Sequence, residues 1–303
     1  MLTEKFFDSD GIRLHYIDYG GQGPPLVLLA GLGGSAHIYR SLAPRLTPRY
    51  RVIALTRRGH GRSERPESGY ELDTLVDDIL RFLDELQIER AGFVGHSFAG
   101  IEIPRLAIRY PDRVAAIVYM DALHVLLEPT PDSTNDTALN ALERTPNPND
   151  LISSDVYMEY VKRSRPDLAS IWCHAIEANR LEDLIMDGDR VVIDGHAAKI
   201  SAQVFGSLGT HRDPAYGEVA APALAIVLGG TTNPYLVPGA SAELVRSANT
   251  YYVEEFRPWL ERRLDLFREA APGARIVELD TSNHMLFVAK EDETVEAISA
   301  FLV

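Results

Sequence analysis

Ser97 sits in the string Gly95-His96-Ser97-Phe98-Ala99, after an apolar β-like run and before a helical pattern carrying Ile101, Leu106 and Ile108. A serine with a small residue two places away on each side, between a strand and a helix, predicts a strained turn that lifts its hydroxyl above the sheet edge. The same turn aims the first backbone N–H groups of the helix at whatever lies beside that oxygen. A nucleophilic serine needs a positioned base. Among nine histidines, His284 stands out, in Thr281-Ser282-Asn283-His284-Met285 between the last strand pattern and the last helix. That loop falls on the carboxyl edge of the sheet, where Ser97 emerges. His60 and His96 read as local structural groups, and His15 belongs to a hairpin away from this edge. His37 is a candidate to face the site. Of His124, His174, His196 and His211, in or beside an inserted helical region, His124 is kept as a pocket candidate, with Trp172, Asn233 and Met285.

The tetrahedral oxyanion of an acyl transfer needs backbone donors already in place. Ala30-Gly31-Leu32-Gly33-Gly34 follows an apolar strand and precedes a helix, and its glycines allow close approach to a reacting carbonyl. The N–H groups of Leu32 and Phe98 are the expected pair. A glycine-rich strand-to-helix turn also occurs in dinucleotide sites, but the G-x-G-x-x-G spacing is missing here.

The elements that must position these groups alternate. A hairpin is predicted over 4–8 and 12–19, turning at Ser9-Asp10-Gly11. Apolar strands follow at 25–30, 50–55, 92–95, 114–120, 223–228 and 275–279, with helical patterns near 36–46, 72–88, 98–110, 240–270 and 291–302. Short, wholly apolar strands alternating with helices predict an α/β fold with a mostly parallel, doubly wound sheet. Residues 122–213 break the rhythm: helical patterns near 155–163, 167–185 and 196–206 replace the strands, after a Pro/Asn/Asp-rich opening. The expected division is a core of 1–121 and 214–303 with a helical lid, 122–213, inserted between two strands. The lid's Tyr157, Met158, Tyr160, Trp172 and Phe205 suggest a moderately apolar pocket, while Arg163, Arg165 and Arg180 read as solvated.

Composition bounds the rest. The chain has 303 residues, 46% hydrophobic and 24% charged, enough for a sizeable core. A net charge of −14 argues against nucleic acid or an anionic membrane surface as partner. No apolar run is long enough to span a bilayer. The opening MLTEKFFDSDGIRL lacks a basic region followed by an apolar one, and the single cysteine, Cys173, has no partner for an intramolecular disulfide, so the cytoplasm is the expected compartment. No Cys/His cluster or H-E-x-x-H string points to zinc, and neither metal nor organic cofactor is expected. The expected partner is a small-molecule substrate, and the protein a monomer or homodimer.

With these motifs in order, the chain resembles the α/β-hydrolase fold superfamily over nearly its whole length. The glycine loop after the third strand, Arg57-Arg58-Gly59-His60-Gly61-Arg62-Ser63 after the fourth, the turn at Ser97 and the final Asn283-His284 all stand in family order. There are departures. Ala30 replaces a frequent histidine, Ala99 a glycine, and Thr56 precedes Arg57 where an aspartate is usual. The acid's usual segment, Gly230-Thr231-Thr232-Asn233-Pro234, carries asparagine, which orients an imidazole but cannot stabilise imidazolium as a carboxylate does. Some members carry the acid one strand earlier, and the resemblance then implies Asp121, which closes Val118-Tyr119-Met120-Asp121.

A serine at position 97 sets the chain apart from the epoxide hydrolases and dehalogenases of this fold, which attack with a carboxylate. The carbon–carbon hydrolases often carry tryptophan soon after the histidine, where Met285-Leu286-Phe287 stands here. The reading that remains is a carboxylesterase- or lactonase-like serine hydrolase with Ser97, His284, Asp121 and the Leu32 and Phe98 N–H groups. A carbon–carbon hydrolase or lyase of the same fold, or a receptor-like binding protein with little turnover, is the alternative.

Overall fold

The computed structural model describes residues 3–123, 131–142, 145–208 and 213–302. Two strands, β1 (Thr3–Ser9) and β2 (Ile12–Gly20), form the predicted hairpin. Asp10 and Gly11 both take positive φ, 56° and 80°, the geometry whose twist matches the flanking strands. Then come β3 (Pro25–Leu29), β4 (Arg51–Leu55), β5 (Ala91–His96), β6 (Val114–Met120), β7 (Ile185–Asp187), β8 (Arg190–Val192), β9 (Ala223–Leu228) and β10 (Arg275–Leu279). The main sheet runs β1-β2-β4-β3-β5-β6-β9-β10, antiparallel at β1/β2 and β2/β4 and parallel from there on.

Every residue of β5 and β9 is buried, which explains why these strands read as unbroken apolar runs. One face packs against the helices Leu72–Glu85, Ala99–Arg109 and Arg257–Ala270 through Leu75, Phe82, Ile103 and Phe267. The other packs against Leu42, Leu46, Phe287 and Ile298 from the helices Leu42–Leu46, Leu286–Ala289 and Glu291–Phe301. The sheet is covered on both faces, as strand-helix alternation requires.

Three predicted helices are broken in the structure. The 36–46 pattern is a 3₁₀ turn, Ala36–Tyr39, followed by Leu42–Leu46. The 167–185 pattern splits into Pro166–Ala169 and His174–Glu182. The 240–270 stretch passes from Ala242–Tyr251 through a π-turn, Tyr252–Phe256, into Arg257–Ala270. Pro258, which lacks an N–H for the preceding turn, marks that last junction. The segment between β6 and β9 is mainly helical, and β7 and β8 pair within it as a small hairpin over Gly188 (φ 60°). The sequence reading overlooked that hairpin, although Asp187-Gly188 is its signal.

This segment is tied to the sheet by polar bonds. Asn179 Oδ1 accepts from the Ser35 N–H at 2.7 Å and from its hydroxyl at 3.0 Å. Arg62 Nε lies 2.7 Å from Glu182 Oε2. Beneath the glycine loop, Arg57 Nε donates to Glu102 Oε1 at 2.7 Å and Nη2 donates to Glu102 Oε2 and, at 2.9 Å, to the Ala30 carbonyl. Both side chains are almost fully buried. Glu102→Ala leaves Arg57 buried and unpaired, and is expected to cost about 3–5 kcal/mol, read as a lower denaturation midpoint. An unchanged midpoint in urea would contradict this role.

His15, His37 and His60 are buried, and burial, reinforced by nearby arginines, pulls their pKa values down to about 4, about 3 and about 4. Unfolding returns each to about 6.5, so the unfolded chain binds more protons between those limits. The stability these three groups contribute is therefore complete above about pH 6.5 and lost progressively as pH falls toward 4. Melting temperatures recorded from pH 7.5 to 4.5 should fall across that window, with proton uptake on unfolding at pH 5.5. A flat profile would contradict three neutral buried imidazoles.

Candidate active site

β5 ends at His96 and the next helix begins at Ala99, so the chain reverses through Ser97 at φ 51°, the left-handed region that L residues rarely occupy. The small neighbours have a steric cause. A Cβ on Gly95 would lie 2.4 Å from Ile103 Cδ1 and 2.9 Å from Ala99 Cβ. The glycine loop comes equally close: a Cβ on Gly31 would sit 2.8 Å from Ser97 Cβ. Neither the Leu32 nor the Phe98 N–H donates to another of the described residues, and Leu32 lines the same cavity as Ser97.

Asp121 follows β6 directly, also at positive φ (41°), with its N–H bonded to the Ile226 carbonyl at 2.9 Å. Its Oδ2 lies 2.5 Å from His284 Nδ1. Burial opposes ionisation of this carboxyl, but the charge and hydrogen bond of His284, with Arg263 and His96, outweigh it and hold the group below its ordinary value. His284 is 48% exposed, and its loop is held from two sides. His96 Nε2 lies 2.9 Å from the His284 carbonyl oxygen, and Asn283 Nδ2 donates to the Asp167 carbonyl at 2.6 Å. His96 is thus a positioning group for the loop as well as part of the turn.

Two cavities meet at His284. One, of about 160 Å³, is lined by the glycine loop, His96, Ser97, Met285, Arg165 and Arg180. The other, of about 250 Å³, is lined by Asp121, Leu139, Pro234, Tyr251, Tyr252 and Phe256. Asp167, Tyr235 and His284 border both. Among the described residues no hydrogen bond joins the Ser97 hydroxyl to the imidazole, and both groups open on the smaller cavity.

The pocket candidates divide. Met285 lines the Ser97 cavity. His37 does not: it is fully buried on the far side of its 3₁₀ turn, stacked on His15 at 5.4 Å and facing Glu4 and Glu182. Asn233 is turned away from the imidazole, its Nδ2 donating to both carboxylate oxygens of Asp136 at 3.0 Å, so it pins a loop instead of orienting His284. Trp172 packs on the core below Lys162 and lines neither cavity. His124 and His211 lie outside the described residues. Arg165 and Arg180, read from sequence as solvated, both line the Ser97 cavity. A lone arginine on an amphipathic helix carries no sequence mark of the cavity it will face.

Glu4, His15 and His37 place ligand-type atoms within 4.8 Å of one another. Arg40 Nε donates to His37 Nδ1 at 2.8 Å, so Nε2 carries the ring proton and points it at the carboxylates. That arrangement suits a neutral imidazole among arginine–glutamate pairs better than a metal cation.

Residues 24–157 match the α/β hydrolase fold family. A relative from Mesorhizobium japonicum, 2-(acetamidomethylene)succinate hydrolase, is 28% identical over 284 residues, 93% of this chain and 89% of its own. Epoxide hydrolase A of Mycobacterium tuberculosis is 36% identical over 119 residues, 38% of this chain. The chain spans less than half the length of the first two curated relatives it matches, 44% and 37%. Among solved structures, E-2-(acetamidomethylene)succinate hydrolase superposes with a TM-score of 0.73 at 23% identity, covering 100% of this chain and 99% of that one. Both relatives named here are hydrolases and the superposed architecture is the one described above, with the stretch 24–157 carrying the glycine loop and the turn at Ser97. The chain has the α/β-hydrolase fold.

Proposed function

We infer that this hydrolase-fold chain is a serine hydrolase acting on a small carboxylic ester or lactone, with residues 1–121 and 214–303 as core and 122–213 as lid. The observation that carries the reading is the hydrogen bond between Asp121 and His284 Nδ1 at 2.5 Å, at the sheet edge where Ser97 emerges from its strained turn. With Nδ1–H committed to Asp121, Nε2 is left as the base. Ser97 Oγ attacks the carbonyl carbon as its proton passes to Nε2, and the Leu32 and Phe98 N–H groups hold the oxyanion. The imidazolium, stabilised by the ionised Asp121, returns that proton to the leaving oxygen as the C–O bond breaks. Water then repeats the sequence on the acyl-enzyme. The serine–imidazole contact closes in the Michaelis complex, as it commonly does in such sites.

A second reading, cleavage of an amide or carbon–carbon bond, uses the same residues. It is favoured by the relative that spans most of both chains, whose name describes an acetamidomethylene substrate. A panel of matched esters and amides separates the two.

Ser97→Ala is expected to lower kcat by several orders of magnitude, leaving about 10³-fold acceleration over water from the remaining donors. A serine-directed phosphonate should label Ser97 stoichiometrically. Label on another residue, or turnover preserved in the alanine variant, would falsify the assignment.

Asp121→Asn keeps the shape and removes the charge, and should cut kcat by about 10⁴. Asn233→Ala, which breaks the side chain's bonds to Asp136, the Ala248 carbonyl and the Tyr235 N–H, should lower the melting temperature while kcat stays within a few-fold. The reverse pattern, measured under saturating substrate, would move the acid back to the segment around Asn233.

A further inference from the structure

Resting on the serine-hydrolase reading, we propose that the cavity beside Ser97 holds a carboxylate on the acyl part of the substrate, seated on Arg180 with the Tyr235 hydroxyl beside it. The starting point is a cation without an anion. Arg180 lines the Ser97 cavity, and among the described residues its guanidinium makes no ion pair and no hydrogen bond. Its acidic neighbours are committed elsewhere. Asp167 is bound by Arg165, Nε to Oδ1 at 2.9 Å and Nη2 to Oδ2 at 2.6 Å. Asp183 Oδ1 accepts from Arg65 Nη2 at 3.2 Å and from the Gly61 N–H at 3.3 Å.

An arginine on a solvated helix face needs no partner, but this one is held in a cavity. Its helix, His174–Glu182, is docked on the glycine loop through Asn179 and on Arg62 through Glu182. Burial pulls the Arg180 guanidinium below its ordinary value, although it stays charged at any physiological pH. Half-buried and facing the cavity with no ion pair among the described residues, the guanidinium is open to an anion supplied by a ligand, and its fork of N–H donors matches a carboxylate. Burial, with Asp167 next, raises the Tyr235 pKa, so its hydroxyl keeps a proton to donate. With Arg165 neutralised by Asp167, the lobe is left with one net positive charge, in a chain whose formal charge is −14.

The layout also says which half of the substrate bears the charge. The leaving group takes its proton from His284, and the larger cavity that borders His284 but not Ser97 is lined by Leu139, Pro234, Tyr251, Tyr252 and Phe256. The acyl carbon bonds to Ser97 beside the glycine loop, on the side of Arg180. The substrate class is therefore a monoester or lactone of a dicarboxylic acid with a largely apolar leaving group.

The test compares 4-nitrophenyl hydrogen glutarate with its methyl-capped neutral counterpart. The native chain should prefer the carboxylate ester in kcat/KM by at least about tenfold. Arg180→Met should collapse that ratio by about ten- to a hundredfold, the size of a lost hydrogen bond to a charged group. Arg180→Lys should keep part of it as a point charge. Arg163→Met, on the separate helix Ser154–Ser164, 51% exposed and paired with Asp150, should leave the ratio unchanged. Calorimetry of glutarate on the folded Ser97→Ala protein reads the seat without turnover, and adding Arg180→Met should weaken binding similarly. A ratio near one in the native chain, or one indifferent to Arg180→Met, overturns the carboxylate seat and leaves the Ser97 chemistry standing. Glutarate bound through Arg180 by a chain that hydrolyses neither ester upholds the seat and removes the hydrolase reading alone.

Discussion

The site depends on one backbone constraint, the left-handed turn at Ser97. A non-glycine residue at φ 51° is strained, and it persists only where the surroundings over-determine it. Here they do. Gly95 and Ala99 leave no room for larger side chains, and Gly31 approaches from the glycine loop. Behind the turn, the carbonyl of Ala122 comes so near Gly100 that a Cβ there would lie 1.7 Å from it. The close fit that strains the serine therefore also fixes the glycine loop before it and the chain leaving β6 after it. Asp121, at the start of that departing chain, takes the second positive φ of the site.

Charge is arranged to hold these pieces in register. The Arg57–Glu102 pair spans from the helix after Ser97 to the carbonyl of Ala30, and Arg57 lies 5.2 Å from the centre of the Phe98 ring. A buried pair of this kind adds little net stability compared with apolar packing, but removing one partner is expensive. It acts as a register pin: the peptide planes of the glycine loop cannot rotate without breaking it. The segment between β6 and β9 is fastened with the same economy, by Asn179 on Ser35 and Glu182 on Arg62. These bonds hold the segment whose Arg165 and Arg180 line the cavity.

Much of this was readable from residue order because it rests on local physics. The small-x-Ser-x-small string, the Asp-Gly turn and the unbroken apolar strands each encode their own geometry through sterics and burial. The observed β6, β9 and β10 coincide with the predicted strands. Helix continuity was less readable, since the break at Ile171–Cys173 and the π-turn before Pro258 follow from how those stretches dock.

Residue order determined the architecture, the serine turn and the histidine loop, because each is written in contiguous spacing along the chain. The tertiary structure alone decided which side chains share a cavity. It turned Asn233 toward Asp136 and His37 toward Glu4 and Glu182, brought Asp121 to His284 across 163 positions, and set Arg180, without an ion pair among the described residues, in the cavity of Ser97. These outcomes depend on crossovers and on how the segment between β6 and β9 packs on the sheet edge. Contacts between distant segments follow from packing and from competition among charges for partners, and no local pattern records the winner.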